Sequence, residues 1–420
     1  MATLAAGFAL AVPLAALLPP ALAHAKPGDL DRSFGNDGKV ITDFGGGVGG
    51  EITSEVIDSR GRIVAAGFTR DIHGHGHFTL ARYRSNGSLD PSFGAGGIST
   101  SFDGVAFAVT IDRRGRILAA GDARGQASGT DFEVVRYHSD GSPDASFGTG
   151  GLVTTDFGGG EYAHSVAIDR RGRIVVTGQH RGFAVARYTA DGSLDPSFSG
   201  DGKATTDLHA IARGVRATSG AIDSRNRIYV AGYARTSSGA NDFVIVRYRP
   251  DGAISRSFGR RGKVTTDFGH EDDLEGIAID SRGRLVAAGS SGSRFAVARY
   301  KPDGKLSRSF GDHGKVTTRF GWVGSADDVA IDSRGRIIAA GYRAYPVPTD
   351  EDDVSAFAVS RYRPDGSLDR SFGHHGKVTT TFGSGTLDEA FAVAIDPQDR
   401  IVAAGYTDGD YAVARYVGYR

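Results

Sequence analysis

Cysteine is absent from the 420-residue sequence. This excludes disulfides, thiolate metal sites and a cysteine nucleophile, so the folded chain must depend on burial and hydrogen bonding. Net charge is also absent, because Lys plus Arg and Asp plus Glu both total 49. No overall charge therefore directs the chain to nucleic acid or to an anionic membrane surface. Glycine, by contrast, is abundant at 62 residues, and its spacing between recurrent apolar segments predicts many tight turns.

Long apolar runs are scarce, and the longest lies at the amino terminus. Leu4 to Leu18 is rich in Ala and Leu, and Ala23-His24-Ala25 is a small-x-small cleavage site. This pattern predicts a secretory signal peptide over residues 1–25, although no Lys or Arg precedes the apolar run. No later stretch reaches the roughly 18 apolar residues that a membrane span needs. We therefore expect an exported protein, secreted or extracellular, with one propeller domain over residues 26–420.

Helical periodicity is missing as well, and internal repeats take its place. The phrase Ile-Asp-x-x-x-Arg-(Ile/Leu) occurs seven times, with its Asp at positions 58, 112, 169, 223, 280, 332 and 396. An Arg-Tyr phrase also occurs seven times, beginning at Arg82, Arg136, Arg187, Arg247, Arg299, Arg361 and Arg415. Seven copies of each phrase predict seven structural units.

Each unit contains four short segments rich in Val, Ile, Thr and aromatic residues, separated by turn residues. In the third unit these segments are Ser165 to Asp169, Arg173 to Gly178, Phe183 to Tyr188 and Lys203 to Leu208. Four antiparallel strands at this spacing predict an all-β fold, a seven-bladed β-propeller. A solenoid is the alternative, since units stacked in line would also bury a continuous core.

The two ends of the repeat array favour a closed ring. Leu30 to Phe44 has the fourth-strand phrase without a preceding blade, whereas Phe391 to Tyr416 supplies three strands without a fourth. Pairing Lys39–Phe44 with the last blade would remove two exposed sheet edges. We therefore expect the amino-terminal strand to complete the carboxyl-terminal blade.

The repeated residues resemble a known family. The pattern L-D-x-S-F-G-x-x-G-K-V-T-T-D-F-G, followed by A-I-D-x-x-G-R-I-V-A-A-G and F-A-V-A-R-Y-x-x-D-G-S, is similar to the delta-60 repeat of bacterial β-propeller proteins. The resemblance covers Leu30 to Tyr416, with local departures at Ser199, Asn226 and 397–399. The first strand pair also resembles the inner strands of NHL-type propellers, which implies that the first strand of each blade is innermost. The resemblance implies a fold and no activity.

Residues present in every unit are expected to serve the blade. The hairpin Asp and the Arg four residues later predict a turn-bracing ion pair worth about 0.5 kcal/mol. The Arg-Tyr pairs alternate with apolar residues, so one member should face each side of the blade and pack between blades. The Phe of Ser-Phe-Gly is expected to anchor the core beneath its loop.

Sorting the loops by strand order separates the charges into two faces. The face with the hairpins after the first and third strands is called here the regular face, and its first hairpins hold 15 Arg against 8 Asp. The opposite face, called the variable face, holds the connections between blades and is predicted to be acidic. Loops that vary on a rigid scaffold are the expected place for binding.

Two groups on the variable face are candidate cation sites. His73, His75 and His77 alternate with Gly, so all three could face one side and bind a borderline metal, although the sequence fixes no carboxylate beside them. The segment from Glu271 to Glu275 and the equivalent acids of other blades lead into innermost strands. Clustered carboxylates suit calcium, although no calcium-loop motif is present and solubility explains exposed acids equally well. The predicted ligand-binding set is Glu161, His164, Glu271, Asp272, Asp273, Trp322, Asp327, Asp328, Asp388 and Glu389.

The sequence contains no catalytic motif, and no catalytic residue is predicted from it. Trp322, the only Trp, could stack on a sugar or anchor a partner, and 346–353 is an acidic insertion. We expect a monomeric, non-enzymatic recognition module for an extracellular protein, glycan, cell wall or cation, requiring no cofactor. A hydrolase or lyase using the acids and His164 is one alternative, and a purely structural surface protein is another. Strongly perturbed carboxylates in the channel would favour the enzyme, whereas well-solvated acids would favour binding.

Overall fold

The structure is a computed structural model that describes residues 25–44, 49–125, 129–208, 212–237, 239–345, 354–383 and 386–418. Residues 1–24 of the predicted signal peptide and the acidic insertion at 346–353 lie outside these residues. All described elements are strands, and no helix long and apolar enough to cross a membrane occurs among them.

Twenty-eight strands form seven four-stranded antiparallel sheets, as predicted. Blades 1 to 3 are β2–β5 (Gly50–Ile57, Ile63–Arg70, Gly76–Tyr83, Ile98–Asp103), β6–β9 (Val105–Ile111, Ile117–Gly125, Gly129–Tyr137, Leu152–Thr155) and β10–β13 (Tyr162–Ile168, Ile174–Gln179, Phe183–Tyr188, Lys203–Thr206). Blades 4 and 5 are β14–β17 (Arg213–Ile222, Ile228–Arg235, Asn241–Tyr248, Lys263–Thr266) and β18–β21 (Asp272–Ile279, Leu285–Ser291, Arg294–Tyr300, Lys315–Thr318). Blade 6 is β22–β25 (Val323–Ile331, Ile337–Tyr345, Val354–Tyr362, Lys377–Thr380). Blade 7 combines β26–β28 (Asp388–Ile395, Ile401–Thr407, Asp410–Tyr416) with β1 (Lys39–Thr42).

The first strand of every blade contacts the first strand of the next, and β26 contacts β2. These contacts place the first strands innermost, around a central channel, and they contradict the solenoid alternative. β1 lies antiparallel to β28, with Lys39 opposite Ala414 and Thr42 opposite Tyr411. The last blade is therefore built from both ends of the repeat array.

Several innermost strands begin earlier than the sequence pattern predicted. β10 starts at Tyr162 rather than Ser165, and β26 starts at Asp388 rather than Phe391. The reason is a register shift in each strand, between Ala163 and Ser165 in β10 and between Ala390 and Ala392 in β26. A β-bulge adds one residue and breaks the period of two by which strands are recognised.

The core lies between blades, where apolar side chains of adjacent sheets pack together. The Phe of each Ser-Phe-Gly phrase is fully buried, which confirms its predicted anchor role. Each hairpin Asp also pairs with its Arg as predicted; Arg62 Nε, for example, lies 2.7 Å from Asp58 Oδ2. Apolar burial between sheets and ion pairs at the hairpins thus recur in every blade.

The Arg-Tyr phrases join neighbouring blades. Arg82 is buried, and its Nη1 donates to the carbonyl of Ser139 in the next blade. Tyr83 faces the other side of the sheet, where its hydroxyl lies 2.8 Å from Thr42 Oγ1 in blade 7. The predicted packing role between blades is thereby confirmed for both members of this pair.

Candidate functional site

Each innermost strand carries its bulge near the variable face. The bulged residues are Thr53, Phe107, His164, Thr218, Glu275, Asp327 and Phe391. Two positions earlier, the same strands carry Glu51, Val105, Tyr162, Arg216, Asp273, Ser325 and Glu389. Bulges re-aim side chains and occur often beside functional sites. These two rows form the variable-face mouth of the channel.

One side of the mouth is acidic. Glu275, Asp327, Glu389 and Glu51 come from the consecutive blades 5, 6, 7 and 1, and they are called here the carboxylate wall. Burial and then Asp273 raise the pKa of Glu275 to about 7. Burial and then Glu51 raise the pKa of Glu389 to about 7. Burial holds the pKa of Asp327 well above its usual range, and both Glu275 and Glu389 raise it further. Each carboxylate thus disfavours ionisation of its neighbour.

The other side of the mouth is aromatic and basic. The rings of Phe107 and His164 lie 5.3 Å apart across two blades, and Tyr162 stacks against His164 at 6.4 Å. Burial and the nearby Arg216 lower the pKa of His164 to about 4, so its imidazole is neutral at neutral pH. Arg216 also lowers the pKa of Glu275 and so links the two sides.

Tyrosines of the second strands stand beside the carboxylate wall. Tyr406 is the direct cross-strand neighbour of Glu389, and its ring stacks on Phe391 at 5.7 Å. Burial and then Asp327, Glu389 and Glu275 raise the pKa of Tyr342 to about 12. The acidic side therefore presents both carboxylates and phenol rings.

The raised carboxylate pKa values predict how stability depends on pH. A folded-state pKa near 7, above the unfolded value of about 4.5, means that the folded chain loses stability as pH rises from about 4.5 to 7. His164 acts oppositely, because its lowered pKa costs stability as pH falls from about 6.5 to 4. The effect of several carboxylates exceeds that of one imidazole, so the melting temperature in chelator-containing buffer should be higher at pH 5.5 than at pH 8.

Glu275→Gln should raise the free energy of unfolding at pH 8 by up to about 3 kcal/mol and change it little at pH 5.

The control for that experiment is Asp312→Asn, which removes an exposed acid from the regular face. It should leave the slope of melting temperature against pH unchanged. A Glu275→Gln protein with the wild-type slope would contradict the proposed repulsion within the carboxylate wall.

The predicted site residues occupy four different environments. His164, Asp327, Glu389 and Asp273 lie in the two mouth rows, whereas Asp328 bridges blades, its Oδ2 accepting a hydrogen bond from Val393 N at 2.9 Å. Glu271 and Trp322 are exposed on the rim, and 65% of the Trp322 side chain is accessible. Three further acids are fully buried at blade junctions and face away from the channel, namely Glu161, Asp272 and Asp388.

The histidine triplet has carboxylates beside it, contrary to the sequence-based expectation. Asp71 accepts hydrogen bonds from the backbone N–H groups of His73 and His75, and His75 Nδ1 lies 3.1 Å from Asp71 Oδ2. His77 Nδ1 lies 3.0 Å from Asp103 Oδ1. Within the described ranges, however, the groups of three ligand atoms that converge are two acidic trios elsewhere. In the structure, this segment is a solvated turn that is held by hydrogen bonds to Asp71.

Three charged residues were missed by sequence reasoning. Glu51 and Arg216 complete the mouth. Glu55 lies deeper with its carboxylate buried, at a position where five of the other blades have Val or Ile, such as the buried Val109 and Ile277. Burial and then Asp328 hold the pKa of Glu55 well above its usual range. Its sequence signal is a lone acid in an otherwise apolar column of the repeat.

The regular face also has concave surfaces, at the junctions between blades. One groove between blades 5 and 6 is lined by Arg282, Arg284 and Arg334, and another between blades 2 and 3 by Arg113 and Arg170. These grooves are basic, in keeping with the predicted positive regular face. A ligand that binds to the regular face would occupy these grooves and not the channel mouth.

Comparison with known proteins shows what the repeats and the fold are similar to. Six segments match the model described as a domain of unknown function (DUF5122) β-propeller, at residues 61–93, 115–147, 172–198, 226–258, 283–310 and 335–372. No curated protein matches the sequence significantly.

Two solved structures share the architecture. Virginiamycin B lyase from Staphylococcus aureus is 10% identical with a TM-score of 0.52, over 90% of this chain and 98% of the lyase. A protein from Lactobacillus plantarum is 14% identical with a TM-score of 0.50, over 85% of this chain and 96% of that protein. At these identities the likeness shows the fold alone. The chain is therefore a seven-bladed β-propeller in which six segments match the DUF5122 β-propeller model, consistent with the delta-60 type of repeat that its sequence resembles.

Proposed function

We propose that this propeller is a recognition module that binds a cationic group of an extracellular partner at the variable-face mouth of its channel. The observation that carries the proposal is the carboxylate wall, in which acids from four consecutive blades lie on one side of the mouth. Beyond the effect of burial, Glu275 and Glu389 raise the pKa of Asp327, and Glu51 raises that of Glu389. A bound cation would relieve this repulsion. Converging charge of one sign also raises the local potential and the association rate of an oppositely charged ligand.

The tyrosines beside the carboxylate wall indicate which kind of cationic group would bind there. Burial, and then the nearby acids of the carboxylate wall, raise the pKa of Tyr342 and of Tyr406 to about 12. Aromatic faces attract ammonium and guanidinium groups. Carboxylates beside phenol rings therefore suit a lysine or arginine side chain better than a neutral sugar. The ligand we favour is a basic segment of another exported protein.

The export of the chain and its monomeric state belong to the same proposal. The apolar run and the small-x-small site at residues 4–25 support secretion. Detection of the mature chain, beginning near Lys26, in culture medium would test the export step by itself.

The binding proposal can be tested with an oligolysine peptide. Binding followed by calorimetry should strengthen several-fold from pH 5.5 to pH 8, because the channel carboxylates ionise over this range. The double variant Glu275→Gln/Asp327→Asn should weaken binding at pH 8 by tenfold or more. A neutral chito-oligosaccharide should give no heat.

A matched control removes the same charge from the opposite face. Asp37→Asn/Asp312→Asn changes two exposed acids of the regular face and should leave peptide affinity within twofold of wild type. Equal losses of peptide affinity in both double variants would show that the peptide responds to the net charge of the protein and not to the channel acids. Retained affinity in the channel variant, or binding of the sugar alone, would contradict the proposal.

A hydrolase or lyase activity is the second candidate, and the strongly perturbed channel carboxylates that the sequence analysis named as favouring an enzyme support it. The pKa values of Glu275 and Glu389 lie near 7, that of His164 near 4, and that of Asp327 well above its usual range. Groups whose pKa values are pushed apart in this way suit general acid–base chemistry. Turnover of an extracellular polysaccharide that is abolished by Asp327→Asn and kept by Asp312→Asn would establish it.

A further inference from the structure

We propose that the junction between blades 4 and 5 is a divalent-cation site formed by Asp242, Asp267 and Asp272, with a second copy between blades 2 and 3 formed by Asp131, Asp156 and Glu161. One ligand oxygen from each acid lies within 4.8 Å of the others in both trios. The sites lie behind the channel mouth, and the proposal is independent of the ligand proposed for the channel.

The first trio is assembled from two blades. Asp242 precedes Phe243 in β16, and Asp267 follows Thr266 at the end of β17; because Phe243 pairs with Thr266, the two acids stand opposite each other. Asp272 begins β18 in the next blade. Like charges directly opposite on adjacent strands destabilise a sheet, and a third carboxylate adds to the cost. A cation between the acids would offset that repulsion and link the blades.

The buried carboxylate of Asp272 is an independent indication of a ligand. Asp272 is fully buried, and the backbone N–H of Phe268 donates to its Oδ2 at 2.5 Å. Its Oδ1 is also buried and makes no hydrogen bond of good geometry among the described residues, although the Ser291 hydroxyl lowers the pKa of this carboxyl. A buried acceptor without a good hydrogen bond costs free energy that a metal ion would recover.

The second trio repeats this arrangement two blades away. Phe132 pairs with Thr155, which sets Asp131 opposite Asp156, and Glu161 precedes the first strand of the next blade. Glu161 is fully buried, with neither carboxylate oxygen in a hydrogen bond of good geometry. His180 Nδ1 lies 2.8 Å from its Oε1 and could add a nitrogen ligand.

The donor types decide which cation we expect. The first trio offers only carboxylate oxygens, and Asp267 is exposed, so that water can complete the coordination and the ion can enter. Hard oxygen ligands with several coordination positions open to water suit calcium. The imidazole beside the second trio would widen its tolerance to softer ions such as manganese or zinc.

The remaining junctions provide natural controls. Asp388 occupies the position of Asp272 in blade 7, but Ala356 and Thr381 stand where blade 4 has its two acids. Asp207 occupies the position of Asp267 in blade 3, but Gly182 stands opposite it. Lys263 donates to the Asp207 carbonyl as Lys315 does to that of Asp267, so the two junctions share this contact while the residue opposite the Asp differs.

The experiment is calcium titration of chelator-treated protein, followed by calorimetry and by thermal melting. We expect two calcium ions per chain and a melting temperature that rises with calcium concentration. Asp267→Asn should leave one ion, and Glu161→Gln should also leave one. The combined variant should bind none and show no calcium-dependent shift. Asp267 is exposed, so its variant should fold normally.

Asp207→Asn and Asp388→Asn are the matched controls and should keep both ions. The same titration with magnesium, manganese and zinc chlorides identifies which cation each junction prefers. No heat and no melting shift with any of the four ions would overturn the proposal, as would full calcium binding by the combined variant. If calcium binding were lost in Glu275→Gln/Asp327→Asn but kept in Asp267→Asn/Glu161→Gln, the cation would bind at the channel mouth and not at the junctions.

Discussion

Removal of residues 26–44 should destabilise the whole ring by more than 5 kcal/mol and cause aggregation. The segment supplies β1, whose absence leaves β28 as an open edge next to blade 1. It also supplies Phe34, which is fully buried in the cluster shared by blades 7 and 1. Burial of one Phe alone is worth about 3–5 kcal/mol by truncation to Ala. Urea unfolding of chains that begin at residue 26 and at residue 45 would measure the difference.

The deleted segment contacts three blades, so its loss should not be local. Gly373 of blade 6 donates to the carbonyl of Pro27, Asp31 Oδ2 lies 2.9 Å from Arg415 Nε of blade 7, and Gly35 donates to Asn86 of blade 1. A synthetic peptide spanning residues 26–44 should therefore restore stability in trans by strand addition. The chain that begins at residue 26 is the control. An unchanged melting temperature after the longer deletion would show that ring closure contributes little.

Local repetition made the blade predictable from sequence. Seven copies of Asp-x-x-x-Arg across a turn could only be seven hairpins, and seven Arg-Tyr pairs in apolar strands had to face both sides of a sheet. The starts of the innermost strands could not be predicted in the same way. The bulges at His164 and Phe391 break the alternation, so the sequence pattern missed the first three residues of both strands, 162–164 and 388–390.

The candidate sites were less accessible to sequence reasoning, because they join residues from different blades. Asp272 and Asp273 are adjacent in sequence, yet the period of two turns one to the blade junction and the other to the channel. The pairing of Asp242 with Asp267 depends on strand register, although an Asp before the third-strand Phe is a usable signal. The carboxylate wall needs the order of blades around the ring, since Glu51 and Glu389 are neighbours only after closure.

The buried arginines of the Arg-Tyr phrases hold each blade to the next. In blade 3, Arg187 is 1% exposed, and its Nε lies 2.9 Å from Asp195 Oδ2. Its Nη1 donates to the carbonyl of Pro250 in blade 4, and its guanidinium lies 4.7 Å from the centre of the Phe198 ring. The same guanidinium stacks on the Ser-Phe-Gly ring in all seven blades, at 4.5–4.7 Å. One side chain thus combines an ion pair, a hydrogen bond between blades and a cation–π contact.

Arg187→Ala should cost about 3–5 kcal/mol of unfolding free energy, because it removes the closer of the two cations on buried Asp195, leaving only Arg173 at 3.3 Å, and opens a cavity above Phe198. Asp195→Ser should cost less, about 1–2 kcal/mol, since blades 4 and 5 already use Ser255 and Ser307 at this position. In the double variant the two losses should fall short of their sum, because removing both partners leaves no unpaired charge. Arg171→Ala, at an exposed hairpin position, should change stability by less than about 0.5 kcal/mol. Urea unfolding of the four proteins measures all of these values. If Arg187→Ala were as mild as Arg171→Ala, the repeated arginine would not be what holds adjacent blades together.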